Sequence, residues 1–245
     1  MLKPSFTTKQ VTDTSTYGVF ELSPLPYGYA HSLGNALRRV LLSSIEGAAV
    51  TYVKMNGVPH VFSPLKGIKE TALEVIMNLK ELQFVLNSKE PLEVSVSLKG
   101  AKSVTGKDIK ATGLEVVNLD HHIAEITDAK GSLDLTFIVE KGLGFSSSED
   151  KEKKEHGMIA VDSIFSPVTK VTFRVEPARV GRVSNFDKLI LEIWTNGSVS
   201  PKDALEQSAA ILAQFYSHMF NGALLSEDDA AGGITGSVKI DEKSL

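Results

Sequence analysis

Apolar residues recur at helical spacing in two long segments of the chain and at a spacing of two through much of what lies between. In YGYAHSLGNALRRVLLSSIEGAAV (Tyr27 to Val50), a helix turning about 100° per residue puts Leu33, Ala36, Leu37, Val40 and Ser44 on one stripe. His31, Asn35, Arg38, Arg39 and Leu42 take the other side. Pro24, Pro26 and Gly28 mark the approach, Ser32 is the expected N-cap and Gly47 the exit, for a helix of roughly 12 to 15 residues. A second long helix is predicted from Pro201, with Ser200 as N-cap and Asp203 in a capping-box position. Along it Leu205, Ser208, Leu212, Phe215, Tyr216 and Met219 sweep an arc wider than one core stripe needs.

Between these helices the pattern is mostly that of strands. TYVKM, the turn at Asn56-Gly57 and VPHVF predict a hairpin. Ile68, Ala72, Leu73, Val75, Ile76 and Leu79 predict a shorter helix behind Gly67. EVSVSLKG (Glu93 to Gly100) and LDLTFIVEKG (Leu133 to Gly142) alternate as half-buried strands, and Gly100, Gly106, Gly113 and Gly131 suit antiparallel turns. TKVTFRVEPARV and KLILEIWTN read as further strands, with a turn at Asn196-Gly197 before the last helix. The class is α+β. FSSSEDKEKKEHG (Phe145 to Gly157) has no apolar residue after its phenylalanine, so a mobile, solvated surface loop is expected. The residues after Asn221 are small, acidic and glycine-rich, as in a flexible tail or linker.

The outer side of the first helix carries no acid before Glu46, and Leu42 stands beside the arginines. A solvated face would carry acid-base pairs at three- and four-residue spacing. The pattern admits a contact surface or a plain surface helix, since single exposed leucines are common. The broad arc of the last helix likewise suits either an interface or a buried core.

Composition narrows the field. The chain of 245 residues is 42% hydrophobic and 23% charged, ordinary for one large or two modest globular units. A net charge of −4 and a pI near 5.9 argue against direct DNA binding through phosphate contacts. No cysteine is present, which removes disulfides, cysteine-held zinc and thiol nucleophiles. MLKPSFTTKQ has no apolar signal-like run, and nothing approaches the roughly 18 apolar residues of a membrane span, so a cytoplasmic protein away from membranes is expected.

Catalytic motifs are not found. GAKSVTGKD (Gly100 to Asp108) has the wrong glycine spacing for a phosphate loop, and Asp108 replaces the magnesium-binding hydroxyl. His121 and His122 point to opposite faces of an extended strand and do not readily share a metal. GLGFSSS lacks the nucleophile-elbow spacing, and Asp120 has no second carboxylate placed for two-metal chemistry. The expectation is no catalytic residue, no metal site and no cofactor in this chain.

Four blocks together resemble the N-terminal region of the bacterial RNA polymerase alpha subunit: the Tyr27 to Val50 segment, NLKELQF (Asn78 to Phe84), GMIAVDSIFSPVTKVTFRVEPARV (Gly157 to Val180) and FDKLILEIWTNGSVSPKDALEQSAAIL (Phe186 to Leu212). The resemblance implies a discontinuous dimerisation domain (1–46 and 175–220), an inserted domain (47–174) that meets the large subunits, and a tail (221–245). It implies a noncatalytic homodimer on which the beta and beta-prime subunits assemble, with magnesium held in those large subunits. Leu37, Leu41, Leu212, Phe215 and Met219 are the expected dimer anchors. Arg39 and Leu42 match beta-contacting positions, and Lys80 and Arg179 match large-subunit contacts. The 146–156 loop matches a place touched by some transcription activators. The family's second, DNA-binding domain is expected to be absent, whether removed or never present. A dimeric adaptor outside transcription and a small-molecule enzyme are the alternatives, and the first would not copurify with very large polypeptides.

Overall fold

The computed structural model describes residues 5–55, 61–88, 90–151, 157–181 and 183–221. In chain order these form β1 (Thr7–Asp13), β2 (Tyr17–Pro26), α1 (Tyr29–Ser43), β3 (Glu46–Met55), α2 (Ala72–Lys80), β4 (Phe84–Leu86), β5 (Leu92–Lys99) and β6 (Lys102–Thr105). There follow β7 (Leu114–Val116), β8 (His122–Ile126), β9 (Ser132–Leu143), β10 (Phe145–Ser146), β11 (Ile159–Ala160), β12 (Ser163–Ile164), β13 (Val168–Val180), β14 (Val183–Thr195) and α3 (Pro201–Asn221). The architecture is α+β and strand-rich.

An antiparallel sheet in the order β1-β2-β14-β13 carries α1 and α3 on one face. Alternation decides that face: Leu189, Leu191 and Ile193 point inward with Phe20, Leu22, Val171 and the helix residues Ala30, Leu37 and Leu41, forming a first core. On the opposite face Arg174 pairs with Glu192 at 2.5 Å, and Lys188 with Glu176 at 2.7 Å. Ile190 lies between these charges yet is only 2% exposed, so the aliphatic stems of the ion-paired side chains shelter it. At the end of that face Trp194 stacks on Tyr17 with 4.9 Å between ring centroids, and the Lys170 ammonium sits 4.5 Å from the indole centroid.

The second core lies against a sheet in the order β5-β9-β3-β4-β7. Residues 49–53 of β3 are all buried, as a strand covered on both sides requires. α2 closes this core with Ala72, Val75, Ile76 and Leu79. Its start is a capping box: the Thr71 hydroxyl accepts from the Glu74 amide, and the Glu74 carboxylate accepts from the Thr71 amide at 2.7 Å. Phe84 and Phe137 meet in the interior with 6.2 Å between centroids.

Several expectations shift. α1 begins at Tyr29, capped by Gly28 at a φ of 85°, and not at Ser32. The Asp187 carboxylate accepts the Gly28 amide at 2.8 Å, so strand β14 orients the start of the helix. The buried stripe is Ala30, Gly34, Leu37 and Leu41, with Leu33, Ala36 and Val40 on its flanks. The rotation comes from Phe173, whose ring would stand 2.7 Å from a Cβ on residue 34, so the smallest residues face the sheet. Gly47 belongs to β3 and does not end α1. The short helix starts at Ala72, while Ile68 bridges to Ile126 instead of joining it. The Asn56-Gly57 turn lies outside the described residues; Val61 and Phe62 are in a turn, and β3 pairs with β9, β4 and β11. β13 runs unbroken through the expected boundary at 174/175, and the first core resumes at Val168.

Candidate docking surface

α1 presents His31, Ser32, Asn35, Arg38, Arg39 and Leu42 to solvent. Neither Arg38 nor Arg39 has a side-chain partner among the described residues. Two unpaired guanidinium groups beside an exposed leucine can take a carboxylate and exclude water from it. Leu42 does not stand alone. Its carbonyl accepts the Ser166 hydroxyl at 3.3 Å, and two residues earlier Ile164 is 60% exposed. Ile164 pairs with Phe145, 62% exposed, next to Leu143 at 57%. Leu42, Ile164, Phe145 and Leu143 are thus four exposed apolar residues on segments that these bonds bring near one another. Sequence reading missed Phe145 and Ile164, because strands of two residues leave no alternation to detect, and it missed Leu143, the last residue of the long strand β9.

Lys80 lies in the last turn of α2, half-buried. Ser148, whose amide donates to Asp162 at 2.7 Å, is the main cause that holds the Asp162 carboxyl below its ordinary range, followed by the charges of Lys80 and Lys151. Lys151 donates to the Val161 carbonyl and to the Ser163 hydroxyl, with the Tyr52 ring 6.0 Å away. Burial pushes its amine down, against the opposing charges of Glu140 and Asp162. The root of the expected mobile loop is therefore anchored at Ser148 and Lys151, while 152–156 lie outside the described residues. Arg179 is exposed near the tip of the β13–β14 hairpin and donates to the Gly181 carbonyl at 2.9 Å. Leu42 adjoins the start of β13 and Arg179 its end, so a strand of roughly 40 Å separates them.

The expected dimer anchors divide into two groups. Leu37 and Leu41 are 5% and 0% exposed in the chain's own first core. On α3, Leu205 and Ser208 are buried and Leu212 is half-buried, after which the helix leaves the core. Phe215, Tyr216 and Met219 are then 70%, 60% and 66% exposed.

The phosphate-loop look-alike is a capped turn: Asp108 accepts from Lys102 at 2.7 Å and from the Thr105 amide at 3.0 Å. His121 faces the Asn78 carbonyl at 3.1 Å and His122 faces Glu70 at 2.8 Å, on separate partners. Among the described residues no three His, Asp or Glu side chains gather as a metal-holding group, and no helix is long and apolar enough to cross a membrane.

The RNA polymerase Rpb3/RpoA insert domain matches residues 53–166, a span that contains every buried residue of the second core except Val50. The DNA-directed RNA polymerase subunit alpha of Clostridium perfringens (strain 13 / Type A) is 44% identical over 218 residues, 87% of this chain and 69% of the relative. The chain belongs to the DNA-directed RNA polymerase subunit alpha family. Its match to the alpha subunit of Roseiflexus sp. (strain RS-1) is 42% identical over 206 residues, 84% of this chain and 64% of that relative. The alpha subunit of Herpetosiphon aurantiacus is 43% identical over 208 residues, with 84% and 63% covered. The chain thus spans just under two thirds of the length of these two curated alpha subunits.

Proposed function

We propose that the chain acts as a noncatalytic alpha subunit of DNA-directed RNA polymerase, a homodimer that forms the platform for the beta and beta-prime subunits. The observation that carries this reading is the exposure of Phe215, Tyr216 and Met219 on a helix whose first half is packed into the chain's own core. Such an apolar helix end needs a covering surface, and in a family of polymerase subunits a second copy fits it. Stable pairing of this kind buries on the order of 2,000 Å² or more. Leu212 stands at the inner edge of that interface, and Leu37 and Leu41 support α1 from beneath.

In this reading the first core is the dimerising unit, assembled from both ends of the chain, and the second core is an insertion that meets the large subunits. Arg39 and Leu42, continued by Ile164, Phe145 and Leu143, receive beta; Lys80 and Arg179 add contacts elsewhere on the large subunits. The symmetric dimer offers each surface twice, and the assembly uses the two copies differently. Nucleotide addition and its magnesium belong to the large subunits. The chain works in the cytoplasm without touching DNA itself, and the 146–156 segment is where activators would reach it. Affinity purification of the native protein followed by mass measurement tests the proposal. Two copies of the chain with two very large polypeptides are expected, and recovery of the chain without them overturns it.

A further inference from the structure

The two cores are separate clusters of buried apolar residues. Two neighbouring chain crossings, at 44–46 and 165–167, connect them, with Gly47 and Phe165 in direct contact. Crossings that lie side by side define an axis and by themselves do little to oppose rotation about it; Val117 also approaches Gly197 across the junction, its Cγ1 3.1 Å from where a Cβ on Gly197 would stand. A further contact, made by side-chain amides from other segments, opposes that rotation.

We propose that the Gln83–Asn196 amide pair is the strut that sets the angle between the two cores. Asn196 Nδ2 donates to Gln83 Oε1 across the junction. Both amides are held in the required direction. Asn196 Oδ1 accepts from the Ser198 amide at 3.0 Å and from its hydroxyl at 2.6 Å, which leaves only Nδ2 to face Gln83. Gln83 Nε2 donates to the Glu81 carbonyl at 3.1 Å and so presents its oxygen. The backbone beneath each is fixed as well. The Gln83 amide donates to Asn118 Oδ1 at 2.8 Å, its carbonyl accepts from the Val117 amide at 2.9 Å, and Asn118 Nδ2 donates to the Glu81 carbonyl at 3.1 Å. On the other side the Asn196 amide donates to the Pro167 carbonyl at 2.9 Å.

The strut joins the end of α2, just beyond Lys80, to the turn that leads into α3. It therefore fixes the spacing between a lysine and a helix to which the proposed function assigns two different partners. That consequence rests on the proposed function, whereas the strut itself does not, and its test reads geometry alone.

The chain has no cysteine, so Asp13→Cys and Lys99→Cys, both on exposed positions of different cores, give two specific nitroxide sites. The full chain is labelled and diluted with unlabelled chain, and the intrachain distance distribution is read by pulsed electron resonance. Gln83→Ala and Asn196→Ala are each expected to broaden and shift the distribution, and the double variant is expected to go no further than the wider single one. An unchanged distribution in either alanine variant, or a double variant that adds two independent effects, overturns the strut. Far-UV circular dichroism of every variant guards against simple unfolding.

Discussion

The carbonyl oxygen of Phe165 lies 1.8 Å from where a Cβ on Gly47 would stand. Both atoms belong to backbone at the crossing between the cores, so neither gives way as the end of a flexible side chain would. The Phe165 ring also covers Gly142, within 2.9 Å of its missing Cβ. Gly47→Ala is expected to destabilise the chain by about 3 kcal/mol, at the upper end for overpacking. Chemical denaturation followed by circular dichroism measures it, and a loss under about 1 kcal/mol would mean the crossing is softer than the backbone contact implies.

Phe215 and Leu41 should respond in opposite ways. Phe215→Glu alters a side chain that is 70% exposed in the single chain, and it is expected to yield a folded monomer in sedimentation, since a second copy would have to bury an unpaired charge. Leu41→Ala removes a side chain with no exposure and is expected to cost about 2–5 kcal/mol of stability. An unchanged dimer in Phe215→Glu would place that residue outside the interface.

Arg39→Ala is expected to leave the dimer intact and abolish recovery of the beta subunit in a pull-down. Arg39→Lys should restore it only in part, because an ammonium lacks the planar fork that grips a carboxylate with two hydrogen bonds. Full recovery of beta with the alanine variant would remove Arg39 from the docking surface.

The Glu70 carboxylate ties the approach to α2, one residue before its cap, to strand β8. Its side chain is 13% exposed, and it accepts from the Glu125 amide at 2.7 Å and faces His122 at 2.8 Å. Burial pushes the carboxyl up, but the Glu125 amide, His122 and the amide of Glu70 itself together outweigh burial and hold it below its ordinary range. A carboxyl depressed in the folded state stabilises fully above its unfolded pKa of about 4.3 and loses that contribution as pH falls through the folded value. Wild-type protein should therefore exceed Glu70→Gln in unfolding free energy above a pH of about 5, and the margin should shrink as the pH falls from there through the carboxyl's folded value. A margin that grows in acid would contradict the assignment.

What the sequence revealed depended on how local its causes were. The start of α3 was legible because its cap is contained in four residues: Ser200 Oγ accepts from the Asp203 amide at 3.1 Å, as the pattern predicts. The exposed side of α1 was legible because His31, Asn35, Arg38, Arg39 and Leu42 recur at helical spacing, and all five are exposed. Its buried stripe was misplaced, since Ala30 and Gly34 carry little apolar weight and the ring that Gly34 makes room for, Phe173, lies far along the chain. The patch around Leu42 was hidden for a similar reason. Ile164 and Phe145 meet only through a pairing of two-residue strands.

The bond from the Gly28 amide to Asp187 spans 159 residues of sequence, and the rest of the first core is split in the same way, between 20–45 and 168–205. The second core needs only residues from Val50 to Val161. During synthesis the inserted part can therefore fold while α1 still waits for β13 and β14 to leave the ribosome, a delay on the order of ten seconds. Throughout that interval Leu37, Leu41 and Ile45 have only the β1–β2 half of their sheet to pack against, and the burial that holds α1 in place is completed last.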